Sequence, residues 1–174
     1  MALKKPKEVP EIPKSREKSI DKLKKAKPAK KKTEIEFNCR IFFHKDGTNG
    51  KQKYRFCLET LKVFSFLNYK LTLQAQKHRK IIDISVLGLT AVNDYVAKVQ
   101  PAFGEVDFEE LFGEYTVNIL KQDGSINSAI VSFNIFKKEI VITNEFLPEK
   151  ENNSKFCTFE VDNESFTYSK GYLK

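Results

Sequence analysis

A carboxylate, a hydroxyl and a glycine lie close together in the stretch IIDISVLGL, and this trio has the chemistry to bind a small molecule. Asp83 and Ser85 are two residues apart, so on a β-strand they project from the same face. A carboxylate accepts hydrogen bonds and a hydroxyl donates or accepts them, which suits the edge of a nucleotide base. Gly88 lets the backbone approach a phosphate or a ring closely. The sequence therefore predicts a ligand site at Asp83, Ser85 and Gly88.

A basic side chain near these residues would add affinity for phosphate or guanine, because a guanidinium donates paired hydrogen bonds to either group. The chain has four arginines, and no two of them are four residues apart. Lys51 and Arg55, in KQKYR, form the nearest basic pair with that spacing. We predict that these two residues form the basic side of the site.

The spacing of Asp83, Ser85 and Gly88 resembles the signature of the PilZ family, which is Asp or Asn, x, Ser, x, x, Gly on a strand, preceded by an RxxxR pair. PilZ domains are small antiparallel β-barrels that bind the second messenger cyclic di-GMP. The resemblance implies that cyclic di-GMP is the ligand, with Lys51 and Arg55 standing in for the arginine pair. It also implies a PilZ-like core at about residues 68–162. The implied function is that of a non-enzymatic signalling adaptor that binds cyclic di-GMP, or of a degenerate PilZ scaffold that acts through contacts with an unidentified protein partner.

Alternating apolar and polar residues predict the strands that would position this site. The alternation from Ile35 to Phe43 resumes at Tyr54 after a turn with two glycines, which predicts a hairpin. A second hairpin is predicted over residues 70–86, and further strands follow between residues 115 and 168. Helix signals are limited to short stretches at residues 92–99 and 107–111 and to a transient helix at residues 15–25, whose apolar residues Ile20 and Leu23 are too few to hold it alone. This pattern predicts a mostly β chain, folded as an antiparallel β-barrel with one or two short helices.

Residues 1–33 have a different composition and predict a disordered, basic N-terminal tail. Residues 1–32 carry a net charge of +9 and no Phe or Tyr, whereas the remaining residues carry a net charge of −1. A segment with so little large apolar surface cannot offset the entropy lost on ordering. Residues 34–174 are therefore predicted to form a single β domain.

The tail supports an alternative function, because mobile lysines bind polyanions by releasing condensed counterions. In this alternative, the β domain docks through its tail on nucleic acid, on a nucleoprotein assembly such as the ribosome, or on another anionic surface. No aromatic residue interleaves these lysines, so base-specific recognition by the tail is not expected. The predicted polyanion-binding residues are Lys24, Lys25, Lys27, Lys30, Lys31 and Lys32.

The other potentially reactive residues fit no catalytic or metal-binding pattern. Cys39, Cys57 and Cys157 are an odd number of cysteines and predict buried free thiols. His44 and His78 have no ligand-type residue at a metal-binding spacing. We therefore predict no catalytic residue, no metal and no cofactor. No apolar run is long enough for a signal peptide or a membrane span, which predicts a cytoplasmic protein.

Overall fold

Nine β-strands form one sheet that curls into a nearly closed barrel in the computed structural model, which describes residues 19–93 and 96–167. The mostly β barrel predicted from the sequence is confirmed. An α-helix, α1 (Ile20–Lys25), precedes the strands, and a 3₁₀ turn at Asn163–Ser165 follows them. The strands are β1 (Phe37–Lys45), β2 (Gln52–Phe64), β3 (Asn68–His78), β4 (Ile81–Val92), β5 (Gln100–Phe108), β6 (Gly113–Lys121), β7 (Ile126–Asn134), β8 (Glu139–Phe146) and β9 (Cys157–Val161).

The sheet is mixed, although both predicted hairpins are present. The order across it is β8-β7-β6-β4-β3-β5-β2-β1-β9, and β1 pairs with β2, and β3 with β4, in antiparallel fashion. Three neighbouring pairs are parallel, namely β4 with β6, β1 with β9, and β3 with β5. The predicted antiparallel barrel is corrected in this detail, because a parallel pair needs a crossover connection that local alternation does not reveal. The first hairpin belongs to the same sheet as the second.

Alternate residues of each strand fill the barrel, as the period of two predicts. On β1 the inward side chains include Cys39, Ile41 and Phe43. An aromatic group lies at the centre of this core, where the ring of Phe133 is 5.1 Å from that of Tyr54. Burial of large rings supplies much of the apolar stabilisation of a barrel of this size.

Several short elements differ from the sequence-based predictions. Val92 ends β4, residues 96–99 are not helical, and residues 109–111 form a loop in which Glu110 has a φ of 57°. Phe166 follows the 3₁₀ turn instead of starting a strand, and its predicted continuation at Tyr168 lies outside the described residues. Among the described residues, no helix combines the length and apolar character needed to cross a membrane.

The three cysteines are buried free thiols, as predicted. Cys39 points into the core from β1, whereas Cys57 on the neighbouring β2 lies beside the outward-facing Arg40. Burial raises the pKa of Cys57 to about 11 and also raises the pKa values of Cys39 and Cys157. Because the thiolate is the nucleophilic form, none of the three is suited to nucleophilic chemistry near neutral pH.

Candidate functional site

Asp83 and Ser85 project from the outer face of the barrel. The alternate residues of β4, Ile82, Ile84 and Val86, belong to the core inside it. The two polar side chains are nevertheless buried, and Asp83 is only 2% exposed. Their cover includes the chain that precedes β1. We call residues 19–36 the strap.

The strap is held on the sheet by the apolar residues of α1. Ile20 and Leu23 are three residues apart, so they share one face of the helix, and they form a buried cluster with Leu120 and Ile126. A six-residue helix is not stable by itself in water, so its order depends on this packing. The prediction of a disordered tail is therefore corrected for residues 19–33, and residues 1–18 lie outside the described residues.

Polar contacts fix the strap beyond its helix. The Nζ atom of Lys150 donates to the carbonyl of Leu23 at 2.9 Å, and Asn152 Nδ2 donates to the carbonyl of Pro28 at 3.1 Å. Lys27 forms an ion pair with Glu151 at 2.6 Å, and Lys31 forms one with Asp123 at 3.1 Å. Both carboxylates are distant from the strap along the chain. These exposed pairs contribute little energy individually, but they define the path of the strap over the loops next to β7.

The pKa values of Asp123 and Lys150, which both contact the strap, are shifted by their surroundings. Burial alone would raise the pKa of Asp123, but hydrogen bonds from Ser125 and Lys31 outweigh it and hold that pKa below its usual value. Partial burial lowers the pKa of Lys150, whose Nζ atom donates to the backbone carbonyls of Leu23 and Gly124, although the charge of Asp123 acts to raise that pKa. The Asp123 carboxylate thus stabilises the fold above the usual range of aspartate titration, and this contribution is lost as the pH falls through its lowered pKa.

The carboxylate of Asp83 is the centre of a buried polar network. It accepts hydrogen bonds from Lys24 Nζ at 2.6 Å, from Asn118 Nδ2 at 2.7 Å and from Gln76 Nε2 at 3.1 Å. The Oδ1 atom of Asn118 in turn accepts from Ser128 Oγ at 2.6 Å. A buried carboxylate needs such partners to offset its lost hydration. Lys24 is the cation among these donors, and it comes from the strap.

Ser85 and Gly88 have different surroundings. The Oγ atom of Ser85 accepts from Gln122 Nε2 at 3.0 Å, next to the Asp83 network on the same outer face. Gly88 lies at a bulge, because Thr72 pairs with Gly88 while Leu73 pairs with Val86. It lines an apolar cleft of about 640 Å³ between the ends of β2 and β4 and the last residues of the strap. The structure therefore brings Asp83 and Ser85 together and places Gly88 at the edge of a neighbouring cleft.

The predicted basic pair lies elsewhere on the barrel. Arg55 makes a bidentate ion pair with Asp107 at 2.7 and 2.9 Å, and Lys51 lies 3.7 Å from Glu109. Arg55 lies on β2 and Lys51 directly precedes that strand. The strand β2 is separated from β4 by β3 and β5, a distance of about 14 Å at ordinary strand spacing. The structure does not bring Arg55 and Lys51 together with Asp83. The basic partner of Asp83 is Lys24. The run of lysines in the sequence is the signal for a basic segment, but it does not show where on the barrel that segment docks.

The predicted polyanion-binding lysines divide into two groups. Lys24, Lys27 and Lys31 are paired with carboxylates of the barrel. The other three are exposed and form no ion pair with the part of the chain that the structure describes; these are Lys25, Lys30 and Lys32.

Gly124 gives a direct test of strap docking. It has a φ of +93°, and a Cβ atom there would lie 2.8 Å from the carbonyl oxygen of Ala26 in the strap. Gly113 is a matched control, since its φ is +77° and the nearest atom to an added Cβ is Lys80 Nζ at 3.8 Å. Alanine at either position costs about 1–2 kcal/mol for its backbone conformation. We expect Gly124→Ala to lose about 1 kcal/mol more, because it also displaces the strap.

Hydrogen exchange measured by mass spectrometry distinguishes the two variants. Peptides from residues 19–36 should exchange faster in Gly124→Ala and at the wild-type rate in Gly113→Ala. Equal strap exchange in both variants would show that the close contact with Ala26 does not hold the strap in place.

The site combines outward-facing polar side chains with a cover that is not part of the sheet. A carboxylate and a hydroxyl face outward on one strand, their partners are amides and a lysine, and the cover is a short segment held by two apolar side chains. Among the described residues, no group of three or more metal-ligand side chains is placed to hold a metal ion. Comparison with protein-family models, with curated proteins and with solved structures finds no match to this chain.

Proposed function

We propose that the protein is a non-enzymatic, PilZ-like signalling adaptor in which cyclic di-GMP binds the outer face of β4 at Asp83 and Ser85 and displaces the strap. The observation that carries this proposal is the placement of both side chains on one outer face, under a basic segment that is not part of the sheet. Displacement of the strap exposes the outer face of β4 and leaves the strand pairs of β4 intact.

The hydrogen-bonding groups of guanine match those that Asp83 already uses. The carboxylate accepts N–H donors from Lys24 and Asn118, and the Watson–Crick edge of guanine presents N–H donors that can replace them. Lys24 would then lie beside the phosphates of the ligand. After the exchange, Lys24 is paired with a phosphate and the carboxylate keeps N–H donors but loses its cation. The contacts between the phosphates and the lysines of the strap must offset that loss.

The overall charge of the strap favours an anionic ligand. The strap contains seven lysines against Asp21, Glu34 and Glu36, which gives it a net charge of +4. The two phosphates of a cyclic dinucleotide attract this segment, and the attraction is strongest where the charges are partly buried.

Displacement of the strap supplies a signal. Ile20 and Leu23 are buried against Leu120 and Ile126, and a strap that lifts from the barrel exposes all four side chains. New apolar surface of this kind favours association with a partner protein. A ligand shifts the population between the closed and open strap only by its difference in affinity for the two states.

The proposal is tested by titrating cyclic di-GMP into the full chain by calorimetry. We expect saturable binding that Asp83→Ala and Ser85→Ala each weaken about tenfold or more, since each removes a hydrogen-bonding group from the ligand. Arg55→Ala is the control and should bind normally, because two strands, β3 and β5, lie between the strand of Arg55 and β4. Circular dichroism confirms that each variant is folded. Absence of binding by the wild type, or loss of binding in Arg55→Ala alone, would refute the proposal.

Docking of the lysine-rich segment on nucleic acid has less support. Three of the six predicted lysines already pair with the barrel, where they hold the strap. A polyanion would have to compete with these carboxylates for the same side chains.

A further inference from the structure

Exposed apolar side chains are grouped at the end of the barrel where β1 begins. The tip of the β2–β3 turn carries Phe66, which is 90% exposed, and Leu67. Single exposed apolar residues are common on proteins, but a group of them at one end marks an interaction site. The other exposed members of this group are Leu61, Val63, Val96 and Val99.

These side chains are presented by fixed turns. The buried side chain of Asn68 donates to the carbonyl of Val96 at 2.9 Å and accepts from the amide of Lys98 at 3.0 Å, which ties the connection after β4 to the start of β3. The rings of Phe64 and Tyr69 pack against each other in a tilted arrangement across the base of the β2–β3 turn, with their centroids 4.8 Å apart. The apolar tips therefore project outward from an ordered base.

Basic residues surround the apolar tips. Lys62, Lys70 and Lys98 are exposed on the same strand ends and connection. The strap reaches this end too, because it leads into Phe37 at the start of β1 and packs through Ala26 on the β6–β7 turn. Since β4 and β6 run parallel, that turn faces the same way as the end of β4. The exposed lysines of the strap, Lys25, Lys30 and Lys32, thus add positive charge to this end of the barrel.

We propose that this end of the barrel binds the surface of an anionic lipid bilayer, with Phe66 and Leu67 inserted between the headgroups. Projecting apolar tips suit a deformable surface, whereas a folded protein partner would need cavities that match them. Apolar side chains contribute through the area they bury, and surrounding lysines contribute through attraction to anionic lipids. This inference does not depend on cyclic di-GMP.

The chain contains no tryptophan, so a single introduced tryptophan reports insertion directly. In Phe66→Trp, we expect the emission to shift to shorter wavelength on addition of vesicles that contain phosphatidylserine as well as phosphatidylcholine. Phe136→Trp is the matched control, because Phe136 is 85% exposed but lies in the β7–β8 turn at the opposite end. Its emission should not change.

Co-sedimentation of the full chain with the same vesicles gives the affinity. Phe66→Ser should lower the partition coefficient about tenfold or more, as expected for removal of a buried phenylalanine, and Phe136→Ser should leave it unchanged. Absence of vesicle binding, binding that does not respond to Phe66→Ser, or an equal loss in the two variants would overturn the proposal. An emission shift of Phe66→Trp that occurs without vesicles, on addition of a partner protein, would also overturn the proposal. It would indicate that this end of the barrel binds protein.

Discussion

Lys24→Met should lower the free energy of unfolding by about 3 kcal/mol, because it leaves a buried carboxylate without its counterion. The side chain of Asp83 is 3% exposed and retains two neutral amide donors, from Asn118 and Gln76. The strap can lift and let water reach the carboxylate, which places the loss at the lower end of the range for broken buried pairs. Urea denaturation of the variant and the wild type measures the difference.

Lys25→Met is the matched control for this variant. Lys25 is the next residue of α1 and is exposed, so its replacement should change the stability by no more than about 0.5 kcal/mol. Asp83→Asn in the Lys24→Met background should recover part of the loss, because a neutral amide is less costly to bury than an unpaired carboxylate. Equal stability of Lys24→Met and Lys25→Met would contradict the buried ion pair.

Gly104→Ala should also destabilise the barrel by about 3 kcal/mol, at the upper end for overpacked sites. A Cβ atom at Gly104 would lie 2.5 Å from the carbonyl oxygen of Leu71 and 3.0 Å from Leu73 Cγ. The first contact is with backbone, so no side-chain rotation relieves it. The residue lies where β5 meets β3, a junction with a single paired position, Lys70 with Phe103. The two parts of the sheet must separate there to admit a methyl group.

The control for this position is Gly47→Ala. Gly47 lies in the β1–β2 turn with no atom within 4 Å of an added Cβ. Its replacement should be close to neutral in the same urea denaturation experiment. If Gly104→Ala unfolds at the wild-type urea concentration, the close approach of β3 and β5 is not required for the fold.

Eight of the nine strands were predictable from a period of two that the folded chain preserves, whereas β5 was not predicted and its end at residues 107–108 was interpreted as the start of a helix. Ile82, Ile84 and Val86 face the core, so Asp83 and Ser85 must share the outer face, as the spacing predicted. The parallel neighbours were not predictable in this way. Pairing of β4 with β6 depends on the path of β5 between them, and alternation within a strand does not specify its partners.

The strap was not predictable from its composition. A chain that is rich in lysine and lacks aromatic residues is typical of disorder, and its helix buries just two apolar side chains, Ile20 and Leu23. Arg55 illustrates the converse case, since its spacing from Lys51 fits a ligand site while its side chain is held by Asp107 on the neighbouring β5. The local sequence shows which side chains are available, such as a guanidinium. The register between strands that are distant in sequence determines which group each side chain contacts.

Hydrogen exchange of the strap amides with and without cyclic di-GMP is the most direct test of ligand binding at Asp83. The amide of Leu23 donates to Ser19 and that of Ala26 to Lys22, so both report the closed strap. We expect that cyclic di-GMP accelerates exchange at these two amides, leaves the central amides of β4 and β6 unchanged, and has no effect in Asp83→Asn. Unchanged or slower exchange at Leu23 and Ala26 under saturating ligand would contradict it.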